Sequence, residues 1–166
     1  MKKTFLTLVI IAMIAVSVFA LVSCNEDEEV FDGKDEYGRS FGEIYDIDSE
    51  STGVFRLPYQ IGDTSTMGQM MIEQYCADYV EIEKTQSGYK LTFYCDDGML
   101  DNVSMTTDGT SVIGTQKSTD DYQGFTFEVE KQDLESKITL SCVVKLMNRA
   151  VSFSIAVDLT QAKLVG

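Results

Sequence analysis

The sequence predicts an all-β protein, an antiparallel sandwich or barrel of about eight strands with one short helix. Alternating apolar and polar residues recur in short runs from residue 53 onwards, and turn-forming residues separate these runs. Many short strands at close intervals are typical of sandwiches and barrels. One segment, residues 65–75, lacks this alternation and predicts the helix.

Eight runs carry the strand pattern. In the sixth, Phe125, Phe127 and Val129 alternate with polar residues, which places the three apolar side chains on one face of a strand. The dipeptide Asn148-Arg149, between the last two runs, predicts a tight hairpin. The runs are residues 53–61, 79–83, 89–93, 103–105, 112–113, 125–129, 138–146 and 151–159.

The helical segment is marked by the spacing of its long side chains. Met67, Met70, Met71 and Gln74 recur at intervals of three and four. Side chains at these intervals share one face of a helix, so the segment predicts a short helical turn rather than a strand.

Composition limits the classes of function. The chain has 166 residues with 13 bases and 27 acids, so its net charge is 13 − 27 = −14. That length fits one domain, and the acidic balance argues against nucleic acid, whose phosphates require Lys and Arg. The sequence has no histidine, which excludes His-based catalysis and His ligands to zinc or heme. It also has no nucleophile elbow, phosphate loop or dinucleotide fingerprint, so we expect no enzymatic activity.

The N-terminus predicts export. Lys2 and Lys3 precede an almost wholly apolar run, residues 5–22, and this order is typical of a secretory signal. Residues 21–24, Leu-Val-Ser-Cys, resemble a bacterial lipobox. The resemblance implies a signal peptide over residues 1–23, cleavage before Cys24, lipid on Cys24 and a stable membrane anchor. The alternative is an uncleaved apolar helix, for which about 18 residues just suffice to span a bilayer.

The segment after Cys24 predicts an acidic tether over residues 24–52. Residues 25–52 hold eleven acids and two bases, a net charge of 2 − 11 = −9, and such density is typical of a solvated segment. The acidic run after the lipidated cysteine resembles a surface-export signal of some Gram-negative groups. We therefore expect a lipoprotein exposed at the cell surface, with the folded domain spanning residues 53–166.

The order of the elements resembles a NEAT (near-iron transporter) domain. Gly53-Val54-Phe55-Arg56-Leu57 is similar to the family's first strand, residues 63–75 to its lip helix, and residues 77–93 to the hairpin that follows. Residues 125–129, 138–146 and 151–159 resemble its last three strands. The resemblance implies an immunoglobulin-like β-sandwich that binds heme or a hemoprotein for iron acquisition, with a heme or hemoprotein donor and a downstream heme transporter as partners.

Family members hold heme between the lip helix and the last hairpin, and many use a Tyr-x-x-x-Tyr motif at the final strand. The corresponding positions here are Met147 and Val151, which provide no phenolate. Methionine thioethers are soft ligands that suit heme iron. Met147 on one wall, with Met71 or Met67 on the other, would supply two thioether ligands. The alternative is that these methionines only fill gaps in the core.

The same resemblance places other residues around the ligand. The heme propionates would need cations or hydroxyls at the rim, which Lys145, Arg149 and Ser65 could provide, although each could equally be a solvated surface residue. The predicted pocket comprises Ser65, Met70, Tyr75, Lys145, Arg149, Val151 and Phe153. A rival hypothesis is a β-sandwich without a cofactor that binds a protein partner through its loops or an edge strand. A weaker one is an accessory subunit for polysaccharide uptake, which would need an aromatic platform.

Three cysteines remain after Cys24, namely Cys76, Cys95 and Cys142. An exported protein could pair two of them, and a Cys76–Cys95 bond would tie the lip to a strand. Three reduced, buried thiols are the alternative.

Overall fold

The structure is a computed structural model that describes residues 33–50, 52–107, 109–119 and 122–166. The predicted signal peptide, Cys24 and the start of the predicted tether lie outside the described residues. In the described part, no helix is both long and apolar enough to cross a membrane.

Ten strands and two short helices make up the described part of the chain. The helices are α1 (Thr66–Tyr75) and α2 (Lys131–Leu134), and single 3-10 turns occupy Lys145–Met147 and Leu159–Gln161. The strands are β1 (Gly53–Gly62), β2 (Cys76–Thr85), β3 (Gly88–Asp96), β4 (Leu100–Thr107), β5 (Thr110–Ile113), β6 (Thr115–Ser118), β7 (Tyr122–Val129), β8 (Ile138–Val144), β9 (Arg149–Val157) and β10 (Lys163–Leu164).

The strands pair antiparallel in the order β5-β4-β8-β9-β1-β2-β3-β7-β6, and β10 pairs with β1. β1 belongs to both layers, because its pairing with β2 ends at Pro58 and its pairing with β9 begins at Tyr59. Proline lacks the N–H that a ladder requires, and it stands where the strand changes partner. The two layers face each other across one core, which confirms the predicted immunoglobulin-like β-sandwich.

Alternation along the strands builds this core. Phe55, Phe93, Phe127 and Phe153, from four different strands, are each no more than 2% exposed. Their neighbours along each strand are largely polar and outward-facing. The whole described core lies in the compact unit of residues 33–166, so we expect this unit to fold without the preceding residues.

The structure has a strand at each of the eight predicted runs and adds β6 and β10. β6 carries four exposed residues and β10 has only two residues, so neither provides an apolar alternation. The predicted run 138–146 ends earlier, at Val144, and Leu146 lies 73% exposed in the turn. The chain reverses there through a 3-10 turn closed by Asn148 in the left-handed conformation, with φ of 45°, which asparagine tolerates better than most residues.

Residues 33–50, which we call the strap, pack on the sandwich, whereas the sequence predicts a solvated tether up to residue 52. Ile47 is 2% exposed, and the Gly42 N–H donates a 2.8 Å hydrogen bond to the Leu164 carbonyl. Arg39 forms ion pairs with Asp35 and Glu50 inside the strap. Buried apolar side chains hold the strap against the domain. The ion pairs of Arg39 neutralise two of the strap's acids.

The strap and α1 connect to opposite ends of β1. The strap leads into Gly53, and Gly62 leads into the loop before α1. A strand of this length spans up to about 33 Å. The site described next therefore lies at the far end of β1 from the chain's entry into the domain.

Candidate functional site

The first wall of the candidate site is α1. Ser65 caps the helix, and its side-chain oxygen accepts a hydrogen bond from the Gly68 N–H at 3.1 Å. A side chain at Gly68 would collide with the Thr64 hydroxyl. Glycine at this position therefore allows the first turn of α1 to pack against the loop that precedes it. Ile72 is the buried anchor of the helix, whereas Met67 and Met70 are 68% and 64% exposed.

The opposite wall is the start of β9 with the turn that precedes it. Asn148 in its left-handed conformation ends the 3-10 turn and starts the strand at Arg149. Met147, at the end of the turn, is 43% exposed. The tight reversal keeps Met147 close to the first residues of β9, although it belongs to the turn and not to the strand.

An open groove of about 510 Å³ lies between these walls. Methionines line both walls, with Met67 and Met71 on the α1 side and Met147 on the β9 side. Arg149 and Ser152 add a cation and a hydroxyl. The lining is Asp63, Thr64, Ser65, Met67, Gly68, Met71, Met147, Arg149, Ala150, Val151 and Ser152.

A small apolar cavity of about 30 Å³ continues beneath α1. Met71 and Val151 line both the groove and the cavity, so the two spaces adjoin. Cys76, Cys142 and Phe153 line the cavity but not the groove. A volume of this size holds one or two water-sized groups, so of these two adjoining spaces the groove is the one with room for a large flat ligand.

Most of the predicted site residues come together at this end of the fold. Ser65, Met67, Met71, Met147, Arg149 and Val151 line the groove, and Met71, Tyr75, Val151 and Phe153 line the cavity. Met70 and Lys145 line neither space. Met70 points to solvent because it lies on the face of α1 away from Ile72, and Lys145 opens the exposed turn.

Sequence reasoning missed Asp63, which belongs to the groove and ties it to the sheet. The Ser154 hydroxyl donates a 2.6 Å hydrogen bond to Asp63 Oδ2, and Lys137 Nζ lies 3.4 Å from the same oxygen. These contacts, the Ser154 bond first, hold the pKa of Asp63 below its ordinary value. Asp63 has a φ of 52°, a conformation more common for Asp and Asn than for most residues. The signal in the sequence was the position of Asp63, a charged residue directly after the predicted first strand.

Arg149 is the cation that lines the groove, whereas Lys145 lies outside it. None of the ion pairs among the described residues involves Arg149 or Lys145. Arg149 lines the groove and is exposed. Its guanidinium can therefore form a bidentate ion pair with a carboxylate of the ligand without first breaking an ion pair within the protein.

The cysteines Cys76, Cys95 and Cys142 are free thiols. Burial raises the pKa of Cys95 to about 12 and that of Cys142 to about 11. No group of three or more His, Cys, Asp or Glu in the described ranges could hold a metal ion. At neutral pH these thiols are therefore protonated.

A row of tyrosines crosses the outer face of the β2-β3-β7 layer. The Tyr79 and Tyr94 rings are 6.0 Å apart and tilted by 52°, and the Tyr94 and Tyr122 rings are 6.4 Å apart at 63°. Tyr94 is 5% exposed, and its hydroxyl donates to Glu81. Rings that tilt against one another do not form the flat platform that a polysaccharide would need.

Two solved structures share this arrangement of strands and helix. One is the NEAT5 domain of IsdX2, a B. anthracis hemophore, in complex with heme, with 15% identity and a TM-score of 0.53 over 67% of this chain and 99% of that chain. The chain has the fold of a NEAT domain. The second is a point mutant of the same NEAT5 domain in complex with heme, with 14% identity and a TM-score of 0.54 over 68% and 99% of the two chains.

At 14–15% identity, what the chain shares with these NEAT domains is the fold. No protein-family model matches the chain, and no curated protein matches it. The predicted resemblance to the NEAT fold is confirmed, and the ligand has to be argued from the groove itself.

Proposed function

We propose that this chain is a cell-surface lipoprotein that binds heme for iron acquisition, in the groove between α1 and β9. One observation carries the proposal: thioether side chains line both walls of an open groove in a NEAT fold. The two similar solved structures are complexes with heme, which adds support from the fold. A receptor or relay for heme fits this arrangement better than an enzyme.

The groove suits heme in size and in chemistry. Its volume of about 510 Å³ falls within the roughly 300–1,000 Å³ of small-molecule and cofactor sites. Arg149 and Ser65 offer one cation and one hydroxyl to the two propionates, whereas the Ser152 hydroxyl already donates to the Leu140 carbonyl. Met71, Val151 and the adjoining cavity offer apolar contact to the macrocycle.

Met147 is the proposed axial ligand from the β9 side, and Met71 is its proposed counterpart on α1. Met71 is half-buried and borders both the groove and the cavity, whereas Met67 is 68% exposed at the outer end. Met67 remains the alternative counterpart. Bound heme supplies an iron that accepts soft neutral ligands in its ferrous state, and the chain's own task is to orient the sulfurs and exclude water.

Anchoring at Cys24 would suit this role. Cys24 precedes the strap, and the strap enters the domain at the end of β1 opposite α1. A lipid on Cys24 would hold the protein to a bacterial membrane, while the acidic segment keeps the domain off an anionic surface. The groove would then face outward, towards a heme or hemoprotein donor, and bound heme would pass to a downstream transporter.

A hemin titration of residues 25–166, which retain the whole compact unit, tests the proposal. We expect a saturable one-to-one Soret band. Ala150→Trp places an indole in the groove and should abolish the band, and Val112→Trp, on the exposed strand β5, should leave it intact. Equal hemin binding by both variants would show that heme does not bind in the groove.

The lipid anchor has its own test. Cys24→Ala should release the exported protein from the membrane fraction and prevent incorporation of labelled fatty acid. Surface exposure predicts that protease added to intact cells degrades the wild-type protein. Membrane retention of Cys24→Ala would support the uncleaved apolar helix instead.

A cofactor-free protein-binding module is the second candidate. Met67, Met70, Leu146 and Met147 are all exposed at the α1 end of the fold, and exposed apolar side chains in one area are typical of protein interfaces. This candidate predicts no saturable hemin binding, together with capture of a partner that is lost when Leu146 and Met70 are changed to Ser.

A further inference from the structure

Cys76 and Cys95 stand directly opposite each other in the β2-β3 ladder. Directly opposed residues of an antiparallel pair have Cα atoms about 4.5–5.5 Å apart and side chains on the same face. Disulfides form at Cα separations of about 4.4–6.8 Å. The register therefore places the two Cα atoms at a separation that a disulfide can bridge without moving a strand.

The position of the pair gives such a bond a consequence for α1. Cys76 follows directly on the last residue of α1, and its N–H donates to the Ile72 carbonyl as the helix cap. The strand register is irregular between Cys76 and Val80, so the Cys76–Cys95 rung is separated from the regular ladder. A covalent bond at this rung would hold the end of α1 to β3, where the ladder itself provides little restraint.

Cys142 is the competing thiol. It comes from β8 in the other layer and lines the cavity beneath α1 together with Cys76. Its strand partner is Val151, on β9. No ladder brings Cys142 opposite another cysteine, so the register favours Cys76 and Cys95 as the pair.

We propose that Cys76 and Cys95 form a disulfide site that locks the C-terminal end of α1 to β3. Two thiols would each give up a proton and together transfer two electrons to a disulfide oxidant of the exported compartment. One S–S bond forms in the protein, and the S–S bond of the oxidant breaks to give two thiols, so atoms and electrons balance.

Burial controls when this exchange takes place. Burial raises the pKa of Cys95 to about 12, and burial, followed by the proximity of Cys95, raises the pKa of Cys76. Because the thiolate is the nucleophile in thiol–disulfide exchange, the closed protein reacts slowly. The bond forms as the chain folds after export or when α1 lifts from the sheet, and it is then protected from reduction.

The bond itself does not depend on heme binding, but its functional effect rests on the proposed function. If heme occupies the groove, a fixed α1 should slow its release, because it limits movement of the α1 wall away from β9. Oxidised protein would then retain heme longer than reduced protein.

The test uses residues 25–166, which contain these three cysteines only. The reduced protein is refolded with glutathione disulfide, and its intact mass and cross-linked peptides are measured. We expect the loss of two hydrogen masses, a Cys76–Cys95 peptide, slower amide exchange at the end of α1, and a midpoint of thermal unfolding raised by on the order of 5–15 °C.

Single substitutions separate this pair from the alternatives. Cys142→Ala should retain the cross-link, and Cys76→Ser and Cys95→Ala should each abolish it. A cross-link that includes Cys142, a glutathione adduct on Cys76 alone, or no loss of hydrogen on refolding would overturn the proposal. Failure to bind hemin would instead overturn the proposed function and leave the disulfide site standing.

Discussion

The Ser154 hydroxyl donates a 2.6 Å hydrogen bond to the Asp63 carboxylate, and this contact joins the loop before α1 to strand β9. Ser154 is 2% exposed, whereas Asp63 lines the groove. The contact thus connects the two walls of the groove. The position of α1 relative to β9 should depend on this one bond more than on the exposed methionines above it.

Weakening that bond should loosen α1 while the sandwich stays folded. Ser154→Ala removes the donor and Asp63→Asn removes the charge of the acceptor, and each should speed amide hydrogen exchange in α1 and leave exchange in β2 and β3 unchanged. Asp78→Asn, also an exposed acid, is the matched control and should have no effect on α1. Uniformly faster exchange across all strands would show that the contact supports the whole core and not the groove.

The same contact predicts a pH dependence. The folded-state pKa of Asp63 is below its ordinary value of 3.8, chiefly through Ser154 and then Lys137, so its stabilising contribution is present above that value. It is lost as the pH falls through the folded-state pKa. Protection of the α1 amides, measured relative to their intrinsic exchange rates at each pH, should therefore fall on acidification below about pH 4 in the wild type and much less in Asp63→Asn. An equal loss of protection in both proteins would assign the pH effect to other carboxylates.

The strap should contribute to the stability of the domain. Ile47→Ala removes a side chain that is 2% exposed and should lower the free energy of unfolding by about 2–4 kcal/mol. Ile44→Ala, at a side chain that is 51% exposed, should change it by less than about 0.5 kcal/mol. Urea unfolding measures both, and equal effects would mean that residues 33–50 behave as the solvated tether that the sequence predicts.

The sequence predicted the sandwich because alternation survives wherever one face of a strand is buried, as at Phe125 and Phe127. It could not predict the packing of Ile47, since the few apolar residues of the strap have no regular period and the strap is held by hydrogen bonds to the distant residues Ala162 and Leu164. The tight hairpin predicted at Asn148-Arg149 is present, with Asn148 closing the 3-10 turn. Met147 before this turn and Val151 after it both line the groove. Asp63 was missed because its partner, Ser154, is 91 residues away.

Arg149 should contribute to heme affinity through its charge. Arg149→Gln should weaken hemin binding by about twofold to fivefold, the effect expected of an exposed ion pair, and the loss should shrink as salt is added. Lys145→Gln is the control, because Lys145 lines neither the groove nor the cavity. Titrations at low and high salt compare the two variants, and equal losses in both would indicate long-range attraction rather than contact with a propionate.

The most direct test of the account is the absorbance of the hemin complex in both oxidation states for the wild type, Met147→Ala and Met70→Ala. Met147 lines the groove and Met70 does not. Each substitution therefore removes one methionine side chain, the first inside the groove and the second outside it. We predict that Met147→Ala shifts the ferrous Soret band and weakens binding at least about tenfold, while Met70→Ala matches the wild type. A saturable wild-type band that stays unchanged in Met147→Ala would contradict thioether ligation from β9, and the lack of any saturable band would contradict heme binding itself.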